Sequence, residues 1–386
     1  MRKICFITGT RAEYGLLSRL VRLVHEDAEL QLQIIVTNMH LMLEYGETYL
    51  EIEKDGFQID RKVYMNKPSD DANGIIESMA EEMTGMNKAL SELSPDIVVL
   101  LGDRYEILVA AEVALIHKIP IAHIHGGEVT EGAFDDAIRH SVTKMSSLHF
   151  TSCEEYRYRV IQMGEQPERV FNVGSLGVEN IKSIPLMNKA ELEKSLNFKF
   201  SNNTILVTYH PVTLGGDSVK DIHEFISALG EMNNLKVIFT MPNSDIGRDA
   251  IALAIEEYVS QHPDSAKAFV SLGLRRYLST LQFVKAVVGN SSSGIIEVPS
   301  FAIPTLNIGD RQKGRLASKS VINCGTSKEE VLKGLKRCLS EKVQNYTKTC
   351  ENPYAKENTA ECIYDIIKTV NLTDLKTKSF YNLKYE

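Results

Sequence analysis

The chain has 386 residues, 43% of them hydrophobic and 24% charged, and no tryptophan. Its 43 Lys+Arg against 51 Asp+Glu leave a net charge of −8, and without a basic run it is a poor partner for nucleic acid or an anionic membrane surface. At ~150 residues per domain the length predicts two domains, each able to bury its own core.

Apolar β-rich runs alternate with helical stretches along the whole chain. Lys3–Thr8 reads as a buried strand broken by Gly9, and the stretch from Tyr14 to Val24 places apolar residues at helical spacing. Strands are expected at 32–37, 96–101, 119–124, 148–151 and 170–173, with a helix over 107–117. After the polar stretch 197–203 the pattern restarts, with strands at 204–209, 236–241, 266–272, 285–289 and 303–308. Continuous apolar runs followed by helices describe parallel strands covered on both faces. The fold class is therefore α/β, two Rossmann-like doubly wound domains with an interdomain cleft. The expected ranges are 1–175, 176–370 and a C-terminal tail, 371–386, that either docks or frays.

Nothing in the sequence supplies the ~18–20 apolar residues of a membrane span. The apolar run after Met1-Arg2-Lys3 stops at Thr8-Gly9, too early for a signal peptide. Six scattered cysteines without CxxC spacing indicate neither a zinc site nor a disulfide framework. A cytoplasmic protein is the expectation.

Open α/β sheets bind ligands at the carboxyl ends of their strands, so the residues just after each strand carry the functional reading. Gly9-Thr10-Arg11-Ala12-Glu13-Tyr14-Gly15 combines a glycine turn, a helix N-terminus and a cation suited to phosphate; it is neither GxGxxG nor a Walker loop. Asp103 and Arg104 follow the 96–101 strand, where Asp103 with Glu106 also fits a helix capping box. The segment from His123 through His125, Gly126, Gly127 and Glu128 to Asp135, Asp136, Arg139 and His140 is the densest cluster of titratable groups. Alternation would place His123 and His125 on one face, which admits a metal-dependent hydrolase using His123, His125, Asp135 and His140. The same carboxylates, Glu128 and Asp135, also suit acid/base chemistry across the Gly-Gly bend.

In the second half His210 ends a strand that Pro211 stops. Gly289-Asn290-Ser291-Ser292-Ser293-Gly294 leads into an apolar helix and reads as a phosphate cradle, with Glu297 able to accept from ribose hydroxyls. Arg311, Lys313 and Arg315 add cations suited to a pyrophosphate.

These motifs, in this order over about residues 3–365, resemble the UDP-N-acetylglucosamine 2-epimerases, and more closely the hydrolysing branch of bacterial sialic-acid synthesis. The resemblance implies a GT-B-like fold, no metal, no cofactor, and conversion of UDP-N-acetylglucosamine and water to N-acetylmannosamine and UDP by anti-elimination through 2-acetamidoglucal. It implies catalytic roles for Asp103 and Asp135, a catalytic or diphosphate-contacting role for His210, and nucleotide contacts from Arg11, Ala12, Gly15, Arg104, Asn243, Ser291, Ser292, Glu297 and Arg311. Many members carry Glu as the third residue of the His-Ile-x-Gly-Gly motif; here it is His125, so either His125 or Glu128 takes that role. A homodimer or homotetramer is suggested. Rival readings are a GDP-linked 2-epimerase of legionaminic-acid synthesis, with the base read around 272–276, a non-hydrolysing 2-epimerase, and a glycosyltransferase or sugar-nucleotide sensor on the same scaffold.

Overall fold

Seven strands of the first half form one parallel sheet: β1 (Arg2–Thr8), β2 (Leu30–Thr37), β3 (Arg61–Val63), β4 (Ile97–Leu101), β5 (Ile121–Ile124), β6 (Leu148–Thr151) and β7 (Val170–Asn172). Their order is β3-β2-β1-β4-β5-β6-β7. Six further strands form a second parallel sheet: β8 (Thr204–Thr208), β9 (Lys236–Thr240), β10 (Ala266–Phe269), β11 (Ala286–Gly289), β12 (Thr305–Ile308) and β13 (Val321–Cys324), in the order β10-β9-β8-β11-β12-β13. This computed structural model describes residues 1–65, 71–131, 134–212, 217–242 and 247–383.

Every residue of β4 (IVVLL) and of β8 (TILVT) is buried, as strands with helices on both faces must be. The order reverses between β1 and β4 in one sheet and between β8 and β11 in the other, so each sheet has a topological switch point there. The sequence pattern misses β3 and β13. Both are short edge strands with partly exposed residues, and neither shows a continuous apolar run.

The chain divides into two units, Met1–Glu128 with Asp135–Asn180 and Lys356–Glu386, and Val129–Phe134 with Ile181–Ala355. This differs from the expected ranges at two places. The final segment, from Lys356, returns to the first unit: Ala360, Ile363, Ile367 and Leu375 are buried in the same apolar core as Leu17, Leu20 and Val24. Arg2 donates to the carbonyls of Ile367 and Val370 at 2.6 and 2.8 Å, and Arg19 pairs with Glu361. An amphipathic helix announces that it has an apolar face but not which core it will fill, so the return was not legible locally.

The second difference is the excursion Val129–Phe134. Within the second unit, Thr130 Oγ1 accepts from Arg315 at 3.2 Å and Glu131 lies 3.5 Å from Lys313. Among the described residues no helix is long and apolar enough to cross a membrane.

Candidate active site

The turn after β1 is built around a buried carboxyl group, that of Glu13. Thr10 caps the helix Arg11–Glu26, accepting from the Glu13 N–H at 3.2 Å, and Glu13 Oε2 accepts from the Gly9 and Thr10 N–H groups at 2.8 and 3.3 Å. This reciprocal cap fixes the loop that presents Arg11. Burial, reinforced by nearby Glu106, pushes the Glu13 carboxyl up to about 8. Arg11 is paired with Glu51, Ala12 is exposed, and Gly15 lies inside the first helical turns with its carbonyl taken by Asn180 at 3.0 Å.

After β4, Gly102 takes a left-handed φ of 88° and Arg104, not Asp103, occupies the cap position of the helix Tyr105–Ile116. The capping-box reading of Asp103 and Glu106 is therefore corrected. Glu106 is fully buried and accepts from Arg104 Nε at 2.8 Å, while the Asp103 carboxylate pairs with the Arg139 guanidinium.

Arg139, only 1% exposed, is the centre of this half. Besides Asp103 it binds Asp136 Oδ1 at 3.2 Å and donates to the Glu128 carbonyl at 3.0 Å. Asp135 and Asp136 open the helix Asp135–Met145, where acidic side chains suit the N-terminal dipole. His140 lies 3.5 Å from Asp136, with its pKa lowered chiefly by burial.

His123 and His125 do not share a face. His123 is fully buried in β5; its Nε2 donates to the Gly102 carbonyl at 2.8 Å, which leaves Nδ1 to accept from Thr143 Oγ1 at 3.1 Å. Burial pushes its pKa down to about 3, so it is neutral. His125 lies past the strand end with φ of 67°, outside the β alternation. Its N–H donates to the Phe150 carbonyl at 2.8 Å and its Nδ1 lies 3.6 Å from Glu128 Oε1.

Glu128 is 2% exposed and also accepts from Ser152 Oγ at 2.9 Å. The bend that brings it back needs glycine, because a Cβ on Gly127 would sit 2.5 Å from the Tyr156 carbonyl oxygen. With both ring nitrogens of His123 committed, the four-ligand metal reading loses its geometry. Among the described residues no three His, Cys, Asp or Glu side chains are placed to hold a metal ion.

In the second unit the two loops at the switch point are tied by one side chain. His210 follows β8 and is 7% exposed; its backbone N–H donates to Asn290 Oδ1 at 2.7 Å, and Asn290 Nδ2 donates to the His210 carbonyl at 2.8 Å. The Asn290 carbonyl accepts from Gln312 Nε2 at 2.8 Å and Arg311 at 3.3 Å. Gly289 makes this approach possible: its φ is 132°, and a Cβ there would overlap the Thr208 carbonyl oxygen at 2.0 Å.

Ser291 and Ser292 are partly exposed in the following loop. Ser293 Oγ accepts from the partly buried Tyr277 hydroxyl at 2.7 Å. The expected apolar helix is only Ser293–Ile296, a single turn ending at Glu297. One turn has little macrodipole, so anion recognition here must come from individual hydroxyl and N–H donors. Asn243 lies outside the described residues.

The site residues thus cluster at the switch point of each sheet. Arg139, Asn290 and Glu13 are parts of the framework to which the sequence reading gave no individual role, and Glu106 was given only a capping one. Arg139 stands three positions after Asp136, on one helical face, and Asn290 is the first residue past β11; both spacings are signals in hindsight.

A model of the UDP-N-acetylglucosamine 2-epimerase family matches residues 22–368. The chain belongs to that family. Among related sequences, a Campylobacter jejuni GDP/UDP-N,N'-diacetylbacillosamine 2-epimerase (hydrolyzing) is 45% identical over 323 residues, covering 83% of this chain and 84% of that protein. The Escherichia coli polysialic acid biosynthesis protein P7 is 41% identical over 389 residues, 99% and 98% of the two chains. Among solved structures, the Neisseria meningitidis UDP-GlcNAc 2-epimerase bound to UDP-GlcNAc superposes with a TM-score of 0.79 over 95% of this chain and all of that one, at 17% identity. The two parallel-sheet α/β domains are those of a GT-B-like epimerase.

Proposed function

We propose that this member of the family is a hydrolysing UDP-N-acetylglucosamine 2-epimerase, releasing UDP and forming N-acetylmannosamine as a first step of sialic-acid synthesis. The observation that carries the chemistry is the gathering of Asp103, Asp136 and the Glu128 backbone on one buried arginine, next to the His125–Glu128 pair. The C2 proton of the sugar is weakly acidic, so its removal must be coupled to departure of the nucleotide.

In this reading one carboxylate of Asp103 and Asp135 takes the C2 proton as the C1–O bond to the diphosphate breaks, giving 2-acetamidoglucal and UDP. Water then adds at C1 while a proton returns to C2 on the opposite face. His125 with Glu128 supplies the second acid/base function, its Nδ1 standing 3.6 Å from Glu128 Oε1. Within the second unit, His210, Ser291, Ser292 and Arg311 suit the charge growing on the leaving diphosphate, and within the first Arg11 and Arg104 are the cations suited to phosphate. Ala12 and Gly15 adjoin Arg11 on the same helix, and Glu297 accepts from the ribose hydroxyls.

Proton NMR in D₂O with UDP-N-acetylglucosamine tests the proposal. Deuterium should enter C2 as N-acetylmannosamine and UDP form in equal amounts. Formation of UDP-N-acetylmannosamine in place of the free sugar would point to the non-hydrolysing reaction, and loss of turnover with EDTA restored by a divalent ion would point to the metal-dependent hydrolase.

A second reading is favoured by one observation, the 45% identity to the Campylobacter enzyme named for GDP/UDP-N,N'-diacetylbacillosamine. Parallel assays with UDP- and GDP-linked N-acetylglucosamine and with UDP- and GDP-linked N,N'-diacetylbacillosamine decide both base and sugar. We further propose that the enzyme works in the cytoplasm as a homodimer or homotetramer, which sedimentation of the active enzyme measures.

A further inference from the structure

The helix Asp135–Met145 enters the site with its first residues, and its far end is held by the end of the chain. Lys378 Nζ donates to the carbonyls of Lys144 and Ser146 at 2.6 and 2.7 Å, the last acceptors of that helix and its following turn. The same ammonium lies 2.7 Å from Glu165, a carboxylate 2% exposed that also takes Lys144 Nζ at 2.5 Å and His149 Nε2 at 2.9 Å. Orphan carbonyls at a helix C-terminus, and the negative end of its dipole, are what a cation satisfies best.

The surrounding tail is seated along its length. Ser147 Oγ donates to the Leu375 carbonyl at 3.1 Å, Arg169 donates to the carbonyls of Asp374 and, at 3.1 Å, Thr377, and the Tyr381 N–H donates to the Gly164 carbonyl at 2.8 Å. Tyr381 packs on Val160, Ile161 and Val170. The Phe380 ring lies so close to Gly164 that a Cβ there would meet it at 2.3 Å.

We infer that residues 375–381 are a strap and that Lys378 is a positioning residue for the reaction. By capping the helix Asp135–Met145 from behind, it fixes the depth at which Asp135, Asp136 and Arg139 stand, and through Arg139 the orientation of Asp103. The inference rests on the proposed roles of Asp103 and Asp135.

The test uses the full chain with Lys378→Met, Lys378→Arg and the double variant Glu165→Gln/Lys378→Met, which removes the charge that the single variant leaves behind. Lys378→Met should lower kcat about tenfold with KM for UDP-N-acetylglucosamine little changed, the signature of misplaced groups that act in the transition state. Lys378→Arg should restore most of it, and the double variant should stay slow because the carbonyls remain uncapped.

Hydrogen exchange decides the anchoring independently of chemistry. Amides 136–145 should exchange faster in Lys378→Met, with the second unit unaffected. Wild-type kcat in Lys378→Met, unchanged exchange in 136–145, or recovery of turnover in the double variant would each overturn the inference. If Asp135→Asn keeps wild-type turnover while exchange rises in Lys378→Met, the carboxylate assignment falls and the anchor stands.

Discussion

Asn290 grips the backbone of His210 from both sides, accepting from its N–H at 2.7 Å and donating to its carbonyl at 2.8 Å. These bonds join the ends of β8 and β11 across the switch point of the second sheet. The position of the histidine is thus set by a carboxamide eighty residues away in sequence.

Replacing Asn290 by Asp keeps the acceptor and turns the donor into a repulsive oxygen facing the His210 carbonyl. The expected result is a destabilisation of about 1–3 kcal/mol from the unsatisfied buried carbonyl, with kcat falling more than KM rises. Urea unfolding and steady-state kinetics on the same preparation measure both, and a variant with wild-type values for each would show that the clamp is dispensable.

Asp103→Asn keeps shape and removes charge next to Arg139. Turnover should be abolished while UDP affinity, by calorimetry, stays within severalfold, because the carboxylate is assigned to the sugar and not to the nucleotide. Wild-type turnover would remove Asp103 from the catalytic assignment.

Glu297→Ala should act on the other side of that division. Losing a charged acceptor for ribose hydroxyls costs about 1.5–3 kcal/mol of nucleotide binding, read as a weaker Kd for UDP with kcat at saturating substrate nearly retained. An unchanged Kd would place Glu297 outside the nucleotide contacts.

Glu13 gives a pH signature. Its folded pKa, raised to about 8 by burial and by Glu106, lies above the ordinary value of 4.5, so the folded state holds a proton that the unfolded state releases. The resulting stabilisation is complete below about pH 4.5 and is lost as the pH rises through about 8. Glu13→Gln, whose side-chain oxygen can still accept from Gly9 and Thr10, should flatten the decline in stability between pH 5 and 9. Denaturant midpoints for the two proteins across that range give the comparison, and parallel curves would refute the shift.

The two α/β sets, their strands and the loops that carry the candidate site were legible because fully buried parallel strands must be continuous apolar runs, and ligand-binding residues of such sheets follow the strand ends. Asp103, His125, Glu128, His210 and the serine loop were singled out on that ground, together with the order of motifs that marks the family. Tertiary structure decided which of these side chains touch. Arg139 reaches Asp103 only because β4 and β5 are neighbours and the helix Asp135–Met145 packs against β5 and the helix Tyr105–Ile116. Asn290 meets His210 only because β11 lies beside β8, and Lys378 caps a helix more than two hundred residues before it. His125 shows the same limit from within one segment: period-two alternation put it on the face of His123, and a left-handed φ at the strand end turned it toward Glu128. Local pattern records the apolar face of each element, but pairing between elements is settled by packing and by buried polar groups that must find partners, and those partners are distant in sequence.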